Sequence, residues 1–343
     1  MNCEAIRKEA VLLDPRKDFQ PRSVPIEVRK DPLTGRTARI CHFRALEWER
    51  PDLGRLIADS QETCPFCPER VMKFTPTFSE ELLPEGRMVS GEMVLFPNLA
   101  PYDSVGAVAV MGAPHFIPMG EFESERIANA FRLAREFFHR VERLDHPEAV
   151  YHLVNWNYMP PSGSTIVHPH LQVFSTSSAP NLMQQELEAA ARYREATGRN
   201  YWEDMVASET RSERFLGAFG RTTWFSAYAP MGTVGDVLAV VEGVSSTLEL
   251  SDDDLSDLAK GLGAAMRGYD KMGLYSFNMN FFTGAKGDDH SRFHLLFSPR
   301  TFFSQALGTP DAGALRILFN ETVCMTYPET IGEKLKPEFE SRV

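Results

Sequence analysis

The stretch Asn157-Tyr-Met-Pro-Pro-Ser-Gly-Ser-Thr-Ile-Val-His-Pro-His-Leu-Gln172 decides how the rest of the chain is read. Its middle is a turn rich in Pro, Gly and Ser, and its end carries His168-Pro169-His170 followed by Gln172. The continuation, Leu171-Gln-Val-Phe-Ser-Thr176, has the composition of a strand. Along a strand, alternate residues share a face, so positions 168, 170 and 172 line up together. Pro169 removes a backbone donor and suits the start or edge of that strand. Two imidazoles and a carboxamide on one surface are costly to bury without partners, so the row points to chemistry rather than packing.

Around this stretch the chain is 343 residues long, enough for two domains or two halves of one large domain. A net charge of −11 and the lack of any long basic run argue against nucleic acid as a partner. A phosphate-bearing small molecule stays compatible, because local donors decide that kind of binding. No apolar run reaches the ~20 residues that span a bilayer. The N-terminus has no apolar signal core, so the expected location is cytoplasmic and no membrane partner is expected. Five cysteines in a reducing compartment do not suggest a disulfide framework.

Residues 1–28 carry charge and proline without clear periodicity and read as an N-terminal arm. Asp31-Pro-Leu-Thr-Gly35 is a turn, followed by an alternating strand over 37–44. Short apolar runs at 92–96 and 105–111 read as strands, as does 148–157. The 3–4 spacing of Ile127, Phe131, Ala134, Phe137 and Val141 predicts a helix over 121–144. A further helical stretch over 182–208 has an interruption at Gly198.

The second part of the chain repeats the first. Ala100-Pro-Tyr-Asp-Ser-Val-Gly-Ala-Val-Ala-Val-Met111 matches Ala229-Pro-Met-Gly-Thr-Val-Gly-Asp-Val-Leu-Ala-Val240 at five of twelve positions. A helix follows each copy, the second one over 251–273 with a Ser-Asp cap. Val154-Asn-Trp-Asn157 then aligns with Phe277-Asn-Met-Asn280, and His170-Leu-Gln-Val with His294-Leu-Leu-Phe. Four ordered matches indicate an internal duplication. The second copy lacks the first His and the Gln, so it reads as structural or as a supplier of binding contacts.

Cys64-Pro-Phe-Cys67 is a Pro-bounded knuckle that can place two thiolates on one ion. A redox pair would instead open a helix after a strand. His115, at the end of an apolar run, and His168 would complete a four-coordinate structural zinc site. That leaves His170 free. A nucleophilic His170 nitrogen would attack an α-phosphorus, with its other nitrogen fixed by an acceptor such as the His168 carbonyl. Gln172 would donate to a non-bridging oxygen as charge builds, and the 162–165 turn offers further donors to phosphate.

These features together resemble the galactose-1-phosphate uridylyltransferase family, a double-HIT fold of the histidine-triad superfamily. The resemblance runs over about residues 29–335 and is carried by Asp31-Pro-Leu-Thr-Gly35, Cys64-x-x-Cys67, Phe96-Pro-Asn98, His115, Asn157, Gly163-Ser-Thr165, His168-Pro-His170-Leu-Gln172 and Tyr327-Pro-Glu329. It implies an α+β fold of two HIT-like halves, each an antiparallel sheet with helices, over about 29–215 and 216–343. It implies His170 as the residue that is nucleotidylated, Gln172 beside it, and Cys64, Cys67, His115 and His168 as zinc ligands. Arg44, Asn98, Asn157, Ser164 and Thr165 fall where the family contacts nucleotide and phosphate. The family works by ping-pong transfer of NMP from an NDP-sugar to a sugar phosphate, and its members are typically homodimers.

The chain also departs from the family. Some relatives hold a second metal with a Glu and three His. Here Glu186 and His294 match, Leu296 replaces one His, the remaining His is missing near Phe282, and His290 is out of register, so no second metal is expected. The hexose-reading segment is not recognisable over 314–326, which leaves the sugar open. An NDP-sugar phosphorylase using orthophosphate, of the ADP-sugar type, and a non-catalytic nucleotide-binding protein are the alternatives, and the base is not fixed by these residues.

Overall fold

The computed structural model describes residues 3–41, 48–304, 309–311 and 313–341. The chain opens with a hairpin, β1 (Ala5–Asp14) and β2 (Gln20–Lys30), then β3 (Thr37–Ile40). Nine of the ten β1 residues are exposed, so that strand of the N-terminal arm is regular but uncovered. Its partner β2 becomes covered toward its end, with Val24 and Ile26 half-buried and Val28 buried. Only Glu27–Lys30 of β2 pair with β3, and Pro21 and Pro25 fall on the part of β2 beside β1 alone. Two short helices follow, α1 (Gly54–Thr63) and α2 (Pro68–Phe74).

The first half continues as β4 (Met88–Ser90), β5 (Met93–Pro97), β6 (Val105–Val110), α3 (Ser124–Arg143), β7 (Tyr151–Tyr158) and β8 (His170–Thr176). Helices α4 (Asn181–Thr197) and α5 (Tyr201–Glu209) lead to the second half. The break between them is at Gly198, whose φ of +71° caps α4 in the left-handed region that glycine tolerates. Next come β9 (Phe215–Phe219), β10 (Thr222–Ser226), β11 (Val237–Val241), α6 (Asp252–Lys271), β12 (Ser276–Phe282) and β13 (His294–Arg300). Ser251 caps α6 through a reciprocal box with Asp254. The chain ends with a small ribbon, β14 (Phe302–Ser304) and β15 (Thr309–Pro310), then α7 (Ala314–Phe319), β16 (Thr322–Cys324) and α8 (Pro328–Glu340). Strand β16 runs parallel to β3 and returns the end of the chain to the N-terminal sheet.

One ten-stranded sheet dominates, in the order β4-β5-β6-β8-β7-β12-β13-β11-β10-β9. Read inward from either edge, the order is the same, with β7 against β12 at the centre. The mixed α+β architecture expected from the sequence is therefore present, and its strand order repeats as the sequence matches suggest.

The register corrects two details of those matches. His170 pairs with Val110 and His294 with Val240, so β6 and β11 correspond one residue away from the sequence alignment. Gln172 faces Asn155, and Leu296 faces Asn280. Asn155 therefore corresponds to Asn280, two residues from the alignment of the two Asn-x-Asn motifs. A two-residue slide keeps every side chain on its face, which is why the motifs aligned so well.

One face of the sheet is the core. Trp156, Phe277, Met279, Phe281, Phe297 and Leu171 pack there under α3 and α6 with Phe131, Phe137 and Leu262. All are nearly or fully inaccessible, and each buried side chain of this size contributes roughly 1.5–3 kcal/mol. The opposite face carries the polar row. Phe96, Val108, Gln172, Asn155, Asn280, Leu296, Leu238 and Phe225 follow one another as cross-strand partners, so they share that face. The Cys64–Cys67 knuckle covers this face over the first half, packing Phe66 and Val71 against Val94, Phe96, Val108 and Val110. Helix α5 covers it over the second, with Tyr201, Trp202 and Met205 against Phe225 and Val240.

Candidate active site and metal centre

The knuckle joins two helices: Cys64 caps the end of α1, and Cys67 caps the start of α2. Pro68 at the first helical position forces the turn between them. The pair thus opens a helix, but it follows another helix and not a strand. Cys64, Cys67, His115 and His168 are all buried, and their ligand atoms lie within 4.8 Å of one another. Cys67 Sγ is 3.5 Å from His115 Nδ1, and both sulfurs are 3.8 Å from His168 Nδ1. A tetrahedral ion with bonds of about 2.3 Å to sulfur and 2.0 Å to nitrogen separates such atoms by roughly 3.5 Å. The four residues predicted as ligands are therefore brought together with the spacing of a metal centre.

The outer atoms fit as well. His168 Nε2 is 2.8 Å from the Gly112 carbonyl, so it carries the proton and leaves the Nδ1 lone pair facing the thiols. His115 Nε2 is 2.9 Å from Ser60 Oγ, whose own proton goes to Ile57 O at 3.0 Å; His115 must then donate, and its Nδ1 is likewise free. Burial pushes His168 down to about 4, and burial also lowers His115, so both rings are neutral at pH 7. Burial first, and then the neighbouring Cys64, push the Cys67 thiol up to about 12. A cation among these atoms reverses that preference by stabilising the thiolates. Gly112 holds its carbonyl in place at φ +117°, and a Cβ there would run into the Arg126 guanidinium.

His170 begins β8 and sits beside this centre. Its Nδ1 lies 2.7 Å from the His168 carbonyl, so Nδ1 is the protonated nitrogen and Nε2 presents a lone pair. Phe66, between the two cysteines, meets the His170 ring edge-on with centroids 5.2 Å apart. The knuckle thus holds the histidine from one side and the metal ligand's own carbonyl from another. Burial lowers the His170 pKa, which keeps the ring neutral. Gln172 lies two residues along the same face, where its Oε1 accepts from Tyr102 Oη at 3.0 Å and from Asn157 Nδ2 at 3.4 Å. Its Nε2 is left as the donor that a phosphate oxygen needs.

The remaining predicted residues are placed less centrally. Asn98 follows β5, and its side chain caps its own turn at the Ala100 amide. Ser164 gives its hydroxyl to the Ile166 carbonyl, and Thr165 is exposed in the same β7–β8 connection. Arg44 lies outside the described residues. Sequence reading missed Ser60 and Tyr102. Tyr102 lies in a turn the sequence does mark, and Met231, the residue aligned with it in the sequence repeat, has no hydroxyl.

The second half holds the corresponding place differently. A cleft opens beside His294, lined by Glu186, Trp202, Phe282 and Leu296 among others. His294 is stacked between Trp202 and Phe282, at 4.0 and 4.8 Å between centroids, and its Nε2 faces Glu186 at 3.3 Å. Phe282 pairs with His294 across the strands, and Leu296 stands where Gln172 stands in the first half. The amide environment of His170 is thus replaced by apolar groups. His290 pairs instead with Asp288 at 2.6 Å, in a separate loop.

This fold is shared with several solved structures. An ADP-glucose phosphorylase from Arabidopsis thaliana with bound ADP-glucose superposes with a TM-score of 0.68 at 16% identity, covering 91% of this chain and 98% of that one. A galt-like protein from the same plant gives 0.67 at 16% identity, with the same coverage. A uridylyltransferase structure gives 0.67 at 17% identity, covering 92% of this chain and 99% of the other. No protein-family profile matches the chain. An uncharacterized protein of Archaeoglobus fulgidus is 30% identical over 313 residues, spanning 91% of this chain and 92% of the relative. The chain belongs to one family with that protein, and its fold is that of the galactose-1-phosphate uridylyltransferase-like proteins. Among the described residues no helix is long and apolar enough to cross a membrane.

Proposed function

We propose that this chain is a nucleotidyltransferase that carries a nucleotidyl group on His170 Nε2. The observation that carries the reading is the 2.7 Å bond from His170 Nδ1 to the His168 carbonyl, beside a Gln172 with a free amide donor. Nε2 attacks the α-phosphorus of an NDP-sugar, forming a P–N bond as the P–O bond to the sugar phosphate breaks. The sugar 1-phosphate leaves. A second phosphate compound then attacks the same phosphorus, and the P–N bond returns its electrons to the imidazole. Gln172 Nε2 stabilises the charge that builds on the non-bridging oxygen in both steps. Asn98, Asn157, Ser164, Thr165 and Arg44 are the proposed contacts to nucleotide and phosphate.

Zinc on Cys64, Cys67, His115 and His168 would be structural, since four protein ligands close the coordination shell. Its effect on catalysis runs through position: it holds His168, and the His168 carbonyl holds His170. A uridylyltransferase of the hexose 1-phosphate type, working in the cytoplasm as a homodimer, is the specific form proposed.

The test is intact-protein mass measurement after incubation with UDP-glucose, UDP-galactose or ADP-glucose separately. An added UMP or AMP mass in wild type that is absent in His170→Ala is the expected result and names the base. Adding a hexose 1-phosphate or orthophosphate to the loaded protein then identifies the acceptor, and release by orthophosphate alone would make it a phosphorylase. Failure of every donor to label a folded, zinc-loaded protein would overturn the reading.

A further inference from the structure

A chain of side-chain hydrogen bonds crosses the centre of the sheet, from the second half into the active site of the first. It starts at Asp311, which is fully buried and accepts from Arg300 Nε at 2.7 Å. Arg300 Nη1 donates to Asn278 Oδ1 at 2.7 Å. Asn278 Nδ2 donates to Asn157 Oδ1 at 2.7 Å and to the Ser162 carbonyl at 3.0 Å. Asn157 Nδ2 then faces Gln172 Oε1 at 3.4 Å.

An amide can be turned end for end, so the direction of such a chain needs a group that cannot be turned. Arg300 is that group. A guanidinium has donors only, so the Asn278 atom it meets must be the oxygen. The Ser162 carbonyl can only accept, and it requires the nitrogen of the same amide on the other side. With Asn278 fixed, Asn157 must offer its oxygen to Asn278 and its nitrogen to Gln172. Gln172 must then offer its oxygen to Asn157 and Tyr102, which leaves its nitrogen for the substrate.

We propose that Arg300 and Asn278, from the catalytically unequipped half, are positioning residues that set the direction of this amide relay and so present Gln172 as a donor to the transferring phosphate. The inference rests on the reading of His170 and Gln172 as the reacting pair. It gives the second half a task in the reaction. The position of the first half that corresponds to Arg300 is Thr176, the last residue of β8, so the repeat does not supply this residue twice.

The relay makes a prediction that mere packing does not. In Asn278→Asp the shape is kept and Arg300 keeps its partner, but both oxygens now only accept. Asn157 is turned to donate toward position 278, its oxygen faces Gln172, and Gln172 is turned to present its own oxygen to the phosphate. In Asn278→Ala the direction is lost without being reversed. The rate of nucleotidyl-adduct formation is measured by mass at saturating NDP-sugar, with melting temperatures as the control. It is expected to fall about 100-fold or more in Asn278→Asp and about tenfold in Asn278→Ala, as losing one donor to a developing charge does in other enzymes. Arg300→Lys, still a donor, is expected to hold more activity than Arg300→Met. An Ala variant as slow as the Asp variant, or two variants at the wild-type rate, would overturn the relay. If wild type accepts no nucleotidyl group, the functional reading fails and the relay is judged separately by NMR. In protein labelled with 15N-glutamine there are six glutamines, and the Gln172 side-chain signal is the one lost in Gln172→Met. It should move in Asn278→Asp and Arg300→Met and stay in Arg300→Lys; an unmoved signal in the first two overturns the proposal.

Discussion

His170 and His294 are held by the same bond. Each directs Nδ1 at the carbonyl two residues before it, His170 to His168 at 2.7 Å and His294 to Arg292 at 3.0 Å. The backbone device is common to both halves, and what differs is what the other nitrogen sees. For His170 the neighbours on the face are Gln172 and Asn157; for His294 they are Leu296, Phe282 and the carboxylate of Glu186.

The two histidines should therefore fail differently when removed. His170→Ala is expected to abolish adduct formation with a stability loss of about 1 kcal/mol, because the ring is held mainly by one hydrogen bond and the edge of Phe66. His294→Ala removes a ring stacked on both sides, and should cost about 2–3 kcal/mol while leaving the labelling rate within about threefold. Denaturant midpoints and time-resolved mass measurements on the two variants check this. Loss of labelling in a folded His294→Ala would show that the second half takes part in the chemistry through this ring.

The metal centre should respond to its outer partners as well as to its ligands. Ser60 accepts from His115 Nε2 and so fixes which nitrogen faces the thiols. Ser60→Ala is expected to weaken zinc binding about tenfold, the usual effect of losing such a partner, with the fold kept at saturating zinc. Cys64→Ser should lose stoichiometric zinc and several kcal/mol of stability, since binding energy at a structural site is folding energy. His170→Ala should keep its zinc. Metal analysis with a competing chelator measures all three, and equal zinc loss in His170→Ala and Cys64→Ser would break the division between ligand and nucleophile.

Much of this was legible before any coordinates because strand chemistry has short periods. His168-Pro169-His170-Leu171-Gln172 announces itself within five residues, and Cys64-Pro-Phe-Cys67 within four. The partners of the two cysteines could be picked because His115 ends an apolar run and His168 opens the His-Pro-His run. Ser60, Tyr102, Asn278 and Arg300 were not legible, because each acts through a residue that only folding brings near. Tyr102 and Gln172 are 70 positions apart, and Asn157 and Asn278 are 121 apart. The slid Asn-x-Asn alignment has a related cause: a period of two cannot distinguish a register from its neighbour two residues away. Helix boundaries fared well where a cap marked them, as at Ser251 and Gly198.

The ends of the chain meet in an ion network whose pH response can be worked out. Glu329, at the start of α8, accepts two bonds from Arg29 of β2, both at 2.9 Å, and one from Arg214 at 2.7 Å. Arg214 also pairs with buried Glu209 at 2.8 Å, Arg29 reaches Glu27 at 3.1 Å, and both guanidiniums lie over the Tyr228 ring. Burial works against the charge on Glu329, but the bonds and charge of Arg29, and then those of Arg214, outweigh it and hold the carboxyl below its ordinary value of 4.5. A carboxyl lowered in the folded state stabilises the fold fully at pH above its unfolded value. That contribution is lost as pH falls through the lower, folded value. Glu329→Gln should therefore be less stable than wild type at pH 7, by about 2 kcal/mol, the scale of hydrogen bonds to charged groups. The gap should narrow steadily below about pH 4.5, where the wild-type carboxyl takes up its proton. Urea midpoints of the two proteins at pH 7, 5, 4 and 3 provide the measurement. A gap that stays constant across that range would mean that Glu329 is held there by shape rather than by charge, and that the ends of the chain are joined by packing alone.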